Sequence, residues 1–178
     1  MKKLAMCVLG VVAICAAAAT AGPRVSGNTL KAVETSLDQR VKSLWEDNPF
    51  SIIRPTRGIY LDGYGAVFTV DVSPVLSTTS MMHTTVTKEE VVRAHKARLE
   101  RVPQLKQAMR LALADAAASL NPVPADDQIT FVVFLDSHSW EDVTGTPALT
   151  FRAKKNALLE ARHTGGAALT QVVQITEN

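Results

Sequence analysis

The chain has 178 residues, 47% of them hydrophobic and 20% charged, with 19 Lys and Arg against 17 Asp and Glu. That length buries enough surface for one self-sufficient domain without disulfide staples, and the near balance of charge excludes the basic excess of a nucleic-acid-binding domain. The only two cysteines, Cys7 and Cys15, both fall within the first 21 residues.

Those residues read as a secretory signal peptide. Lys2 and Lys3 form a positive start, residues 4–18 are uncharged and apolar, and Ala19-Thr20-Ala21 supplies small residues for cleavage before Gly22. The stretch falls short of the roughly 20 strongly apolar residues that a spanning helix needs. Cleavage leaves a mature domain over 22–178, exported to the periplasm or the medium, in which loss of Lys2 and Lys3 takes the cations to 17, equal to the 17 acids. It also leaves no cysteine, which excludes thiolate nucleophiles, zinc–thiolate sites and redox pairs. Retention of residues 1–21 as a membrane anchor is the alternative.

In the mature chain, residues 29–46 place Leu30, Val33, Leu37, Val41, Leu44 and Trp45 at three- and four-residue spacing, an amphipathic helix with Asn28 as its N-cap. A short strand is expected near 50–54, interrupted by Pro55. Asp62-Gly63 between apolar runs predicts a type I′ hairpin leading into a strand over 64–72, with Ala66, Phe68, Val70 and Val72 inward. Residues 77–87 are rich in hydroxyl groups and read as a loop. Thr87 and Glu90 then form a capping box ahead of a long helix, whose apolar stripe is read as Val91, Val92, His95, Leu99, Val102, Leu105, Met109, Leu113, Ala116 and Leu120. Pro103 falls inside it without disturbing the phase, which predicts a kinked helix or two helices nearly in line. Its cations, among them Arg93, Arg98, Arg101 and Lys106, are interspersed with acids and read as a solvated face.

Beyond Pro122, the continuous apolar run 129–135 predicts a central strand buried on both faces, 148–153 a further strand, 154–163 a short helix, Gly165-Gly166 a turn, and 169–175 a last strand. The expected architecture is therefore α+β. It has a small, mostly antiparallel sheet packed on one face by the N-terminal amphipathic helix and the long, Pro-kinked helix.

No nucleophile elbow, paired-histidine helix, phosphate loop, dinucleotide-binding turn or calcium loop is present. Gly63-Tyr64-Gly65 lies in a hairpin rather than between a strand and a helix, which argues against phosphate binding. The candidate for chemistry is the loop after the central strand, where Asp136, His138 and Ser139 sit among Ser137, Trp140, Glu141 and Asp142. His138 as a base, oriented by Asp136 and activating Ser139, would make a hydrolase, and the same groups could hold a divalent cation. Triads normally converge from separate segments, so an ordinary turn with polar side chains capping its amides is the preferred reading. His83, His95 and His163 show no metal-ligand spacing. The sequence thus points to an exported, non-catalytic binding or envelope interaction module with no cofactor, no metal and no nucleic-acid partner. Its partner, a protein or a small molecule, is left open. The membrane enters only if residues 1–21 stay attached.

Overall fold

The computed structural model describes residues 25–45, 51–75, 85–141 and 148–178. The expected signal segment 1–21, His83 and Asp142 lie outside them. Helix α1 (Gly27–Lys42) starts at Ser26, whose hydroxyl accepts from the Thr29 amide, so the cap is Ser26 rather than Asn28. Val33, Leu37 and Val41 form its buried stripe, as their spacing predicts. A single 3₁₀ turn, Ser43–Trp45, follows.

Five strands form one sheet in the order β1-β2-β3-β4-β5. β1 (Ser51–Leu61) and β2 (Gly65–Ser73) pair antiparallel, and β2 runs parallel to β3 (Gln128–Leu135). β4 (Ala148–Lys154) and β5 (Gln174–Glu177) complete the sheet antiparallel. The mostly antiparallel α+β architecture is as expected. The one parallel pair arises because α2 (Lys88–Ser119) crosses back over the sheet between β2 and β3.

Pro55 does not end a strand. β1 continues through it with irregular register between Arg54 and Arg57, which an edge strand tolerates because a proline there removes no ladder bond. The outer side of β1 is closed by α1. The Asp38 carboxylate accepts from the Thr56 amide at 2.9 Å and its hydroxyl at 2.6 Å, and buried Glu34 accepts from the Gly58 amide at 2.9 Å. Two carboxylates thus occupy edge donors that would otherwise template pairing with another chain.

The hairpin turn differs from the expected type I′. Leu61 pairs with Gly65 across three residues, the Tyr64 amide donates to the Leu61 carbonyl, and positive φ occurs at Gly63 (74°) but not at Asp62. Those values describe a type II turn, in which only the third residue needs positive φ.

α2 is a single 32-residue helix through Pro103, with both halves of the Thr87–Glu90 capping box formed. Its C-terminal half buries Leu105, Met109, Leu113 and Ala116 in register with the predicted stripe, while the N-terminal half does not follow it. Val92 and Leu99 are 67% and 62% exposed, His95 is exposed, and Ala94, Arg98 and Arg101 face inward. The core lies between the helices and one face of the sheet. Phe68 and Phe131 meet edge to face at 5.5 Å between ring centres, beside Phe151, Ile129 and Val133.

α3 (Lys155–Thr164) is followed by α4 (Gly166–Val172), where a strand from 169 was expected. Leu169, Val172 and Val173 turn toward the core on helical spacing, which leaves β5 only four residues. Lys155 is buried and its ammonium donates to the carbonyls of Leu120, Asn121 and Val123, closing the end of α2. Burial lowers its pKa, and the nearby Asp127 charge opposes that shift.

Beside it, the Tyr60 hydroxyl donates to Asp127 at 2.8 Å. Its pKa is pushed up from 10.0 to about 12 by burial first, then by that hydrogen bond and the charges of Asp127 and Asp62. A phenol raised in the native state contributes stability that is complete below pH 10.0 and disappears as pH rises toward about 12. Tyr60→Phe should therefore lose less stability over that interval than the native chain, and the latest step in tyrosinate absorbance should vanish. Lys155 affects both proteins alike, so the difference isolates Tyr60. Parallel stability–pH curves for the two proteins would contradict the assignment.

Candidate functional site

At the carboxyl ends of the parallel pair, β2 runs into Ser73-Pro74-Val75 and β3 into the 136–141 turn. The first half of α2 lies against both exits. The Arg101 guanidinium donates to the Pro74 carbonyl at 2.7 Å and sits 5.4 Å from the centre of the Trp45 ring. Arg98 donates to the Asp136 carbonyl at 2.5 Å and forms an ion pair with Glu141 at 3.1 Å, the two side chains only 9% and 2% exposed. The other Glu141 oxygen accepts from the His138 amide at 3.0 Å, and the Glu141 amide returns to the His138 carbonyl. Arg98 and Arg101 are thus not part of a solvated basic face. Arginine carries only donors, and these two meet acceptors where the chain leaves the sheet.

This arrangement holds the predicted loop as a closed turn. His138 stacks on Trp140 with ring centres 5.1 Å apart and planes 11° from parallel, and its Nε2 is buried without a hydrogen bond. Asp136 and Ser139 are exposed. Among the described residues, no hydrogen bond joins the Asp136 carboxylate or the Ser139 hydroxyl to the His138 ring. The sequence places the three together, but the structure does not assemble them as a relay. Glu141 is the organising carboxylate; its separation of three residues from His138, the spacing of a side-chain-capped turn, was the available signal.

Among the described residues, no three His, Cys, Asp or Glu side chains come together in a way that could hold a metal ion. His95 and His163 are exposed on different helices. A cleft of about 500 Å³ lies between α2 and α4, lined by Gln107, Arg110, Leu111, Leu169 and Thr170 among others. It offers a single ionisable group, Arg110, and so no acid–base pair.

The second face of the sheet carries no packed helix among the described residues. Helices cover the face bearing Phe68, Phe131 and Phe151. On the opposite face, pairing sets Ile59 beside Val67 and Thr130 beside Arg152, and in the next row Arg57 beside Thr69 and Val132 beside Thr150. The row nearest the carboxyl ends of β2 and β3 holds Arg54, Asp71, Phe134 and Ala148. Ile59 is 55% and Phe134 44% exposed, whereas the short side chains Thr130 and Ala148 on the same face are buried. The Tyr64 hydroxyl shares a 2.9 Å hydrogen bond with Thr130 and lays its ring across this face.

The apolar run 129–135 therefore does not mark a strand buried on both sides. Ile129, Phe131, Val133 and Leu135 enter the core, and Val132 and Phe134 line the uncovered face. Neighbouring strands contribute threonine and arginine at the aligned positions, so the face becomes apparent only when the register is known.

Among the described residues, no helix is long and apolar enough to cross a membrane. No protein-family model, no curated protein and no solved structure matches the chain.

Proposed function

We propose that the chain is an exported, non-catalytic binding module whose working surface is the uncovered face of the sheet. The carrying observation is that face itself, a layer of five strands with, among the described residues, helices on one side only and with Ile59 and Phe134 about half exposed on the other. A sheet normally buries its apolar positions against a second layer, and exposed apolar residues set among polar ones are common at interaction surfaces. The leader-like residues 1–21 support export, and the intact mass of the exported protein tests it, because a mass beginning at Met1 would favour an anchored form.

Photo-crosslinking in the native host tests the binding reading. A benzophenone side chain placed at Thr150 or Thr176, on the uncovered face, should give a discrete protein adduct, whereas one at Glu160 on α3 should give none. The adduct should survive Asp136→Asn, His138→Ala and Ser139→Ala. Equal adducts from both sides, or adducts abolished by the three loop substitutions, would overturn the proposal in favour of the loop.

A further inference from the structure

The charges on the uncovered face are segregated. Arg54 and Arg57 stand on β1, and Arg152 and Lys154 on β4. Between these flanks, β2 and β3 present Val67, Val132 and Phe134, interspersed with Thr69, Thr130 and Asp71. The only acid on this face in β1–β4 is Asp71, which is paired with Arg54 at 3.1 Å. Because residues 22–178 carry equal numbers of cations and acids, the cationic excess here is local.

We propose that this face binds an acidic amphipathic helix from another polypeptide, laid along β2 and β3 with its apolar stripe down and carboxylates meeting the cations on both sides. The inference rests on the binding-module reading and specifies its occupant. Dimensions support a helix. Strands lie about 4.8 Å apart, so the β1 and β4 flanks are about 14 Å apart, and a helix with its side chains is about 10–12 Å across. A single extended strand lying between them would be too narrow to meet both flanks. β2 has nine residues, about 30 Å, which matches a helix of about 20 residues.

Two segments of this chain that could compete for the face lack the complementary charge, which favours an occupant from another protein. Residues 1–21 contain no Asp or Glu, so the leader lacks the complementary charge. The exposed apolar stripe of α2 in a second copy, Val92 and Leu99, is flanked by Lys88, Arg93 and Lys96, like charges to those of this face. Composition separates a protein partner from a lipid surface. Three of the four cations are arginine and aromatic residues accompany them, the bias of protein interfaces, whereas anionic lipid is typically met by polybasic runs.

The test uses a synthetic helix of about 20 residues, leucine at three- and four-residue spacing and glutamate along both flanks, with a matched peptide carrying lysine for glutamate. Fluorescence anisotropy on the full exported chain should show the acidic peptide binding at least about tenfold more tightly than the lysine peptide, and weakening with salt. Arg57→Glu with Arg152→Glu should reduce affinity by about tenfold or more without shifting the melting temperature. Phe134→Asp should also weaken binding, because it places a carboxylate in the apolar stripe.

Equal affinity for the two peptides, or affinity indifferent to the double charge reversal, would overturn the proposal. So would charge-dependent binding to phosphatidylglycerol vesicles with no preference for the acidic peptide, or self-association lost on charge reversal. If the peptide fails while face-specific protein adducts persist in the host, only the occupant is wrong. If both fail, the binding-module reading falls with it.

Discussion

Glu141→Ala should destabilise the domain by about 3–5 kcal/mol, the usual cost of leaving one member of a buried ion pair without its partner. The substitution strands the Arg98 guanidinium at a site where its side chain is 9% exposed, leaving it the Asp136 carbonyl as its acceptor among the described residues. It also frees the His138 amide, which Glu141 accepts at 3.0 Å. For a domain of this size the melting temperature should fall by about 6–20 °C. Arg98→Met with Glu141→Leu supplies the control. Removing both charges in favour of apolar groups should recover much of the loss, because neither partner is then buried alone. A single-variant loss below about 1 kcal/mol would mean that the pair acts as an exposed surface bridge and that the turn is held by other contacts. Asp136→Asn and Ser139→Ala, both at exposed positions, should change stability by less than about 0.5 kcal/mol. That contrast separates the residues that build the turn from those that merely occupy it.

The same pair shows which parts of the molecule were legible in the chain. Periodicity identified α1, the C-terminal half of α2 and the inward file of β2, because in each a continuous apolar layer faces one side of the sheet. It failed in the first half of α2. There the helix passes the end of the sheet and packs on backbone leaving β2 and β3, where carbonyls such as Pro74 and Asp136 need donors more than apolar contact. Arginine serves that need, and the apolar phase moves to the outside at Val92 and Leu99. The β1 strand was obscured because a proline normally signals an end, and only its edge position shows why Pro55 is tolerated. The uncovered face was least legible. Its residues come from separate strands, and a one-residue change of register would exchange Val132 with Val133 without altering the composition of the run.

That register depends on Gly65, and Gly65→Ala should be the most damaging single-methyl addition among the described glycines. A Cβ built there would lie 1.9 Å from the Gln128 carbonyl oxygen and 2.8 Å from the Gln128 backbone nitrogen, at a φ of +131°. The obstructing atoms belong to β3, so no rotamer change relieves the overlap. Relief requires separating β2 from β3 where their ladder starts, at Gly65 opposite Gln128. Backbone strain of about 1–3 kcal/mol and overpacking of a similar size make a loss of about 2–6 kcal/mol, enough to prevent accumulation of a marginally stable domain. Gly63→Ala provides the folded comparison. It has positive φ but nothing within 4 Å of the new methyl, so it should cost only about 1–2 kcal/mol. The decisive measurement is the difference between the variants in urea midpoint and protease resistance; equal losses would show that backbone conformation alone, not the approach to Gln128, makes glycine necessary. If the larger loss is found at Gly65, close contact at the head of β2 sets the alignment that continues through Val67 and Thr130 to Asp71 and Phe134. The apolar centre and cationic flanks of the uncovered face are then a consequence of one glycine fitting beneath one carbonyl.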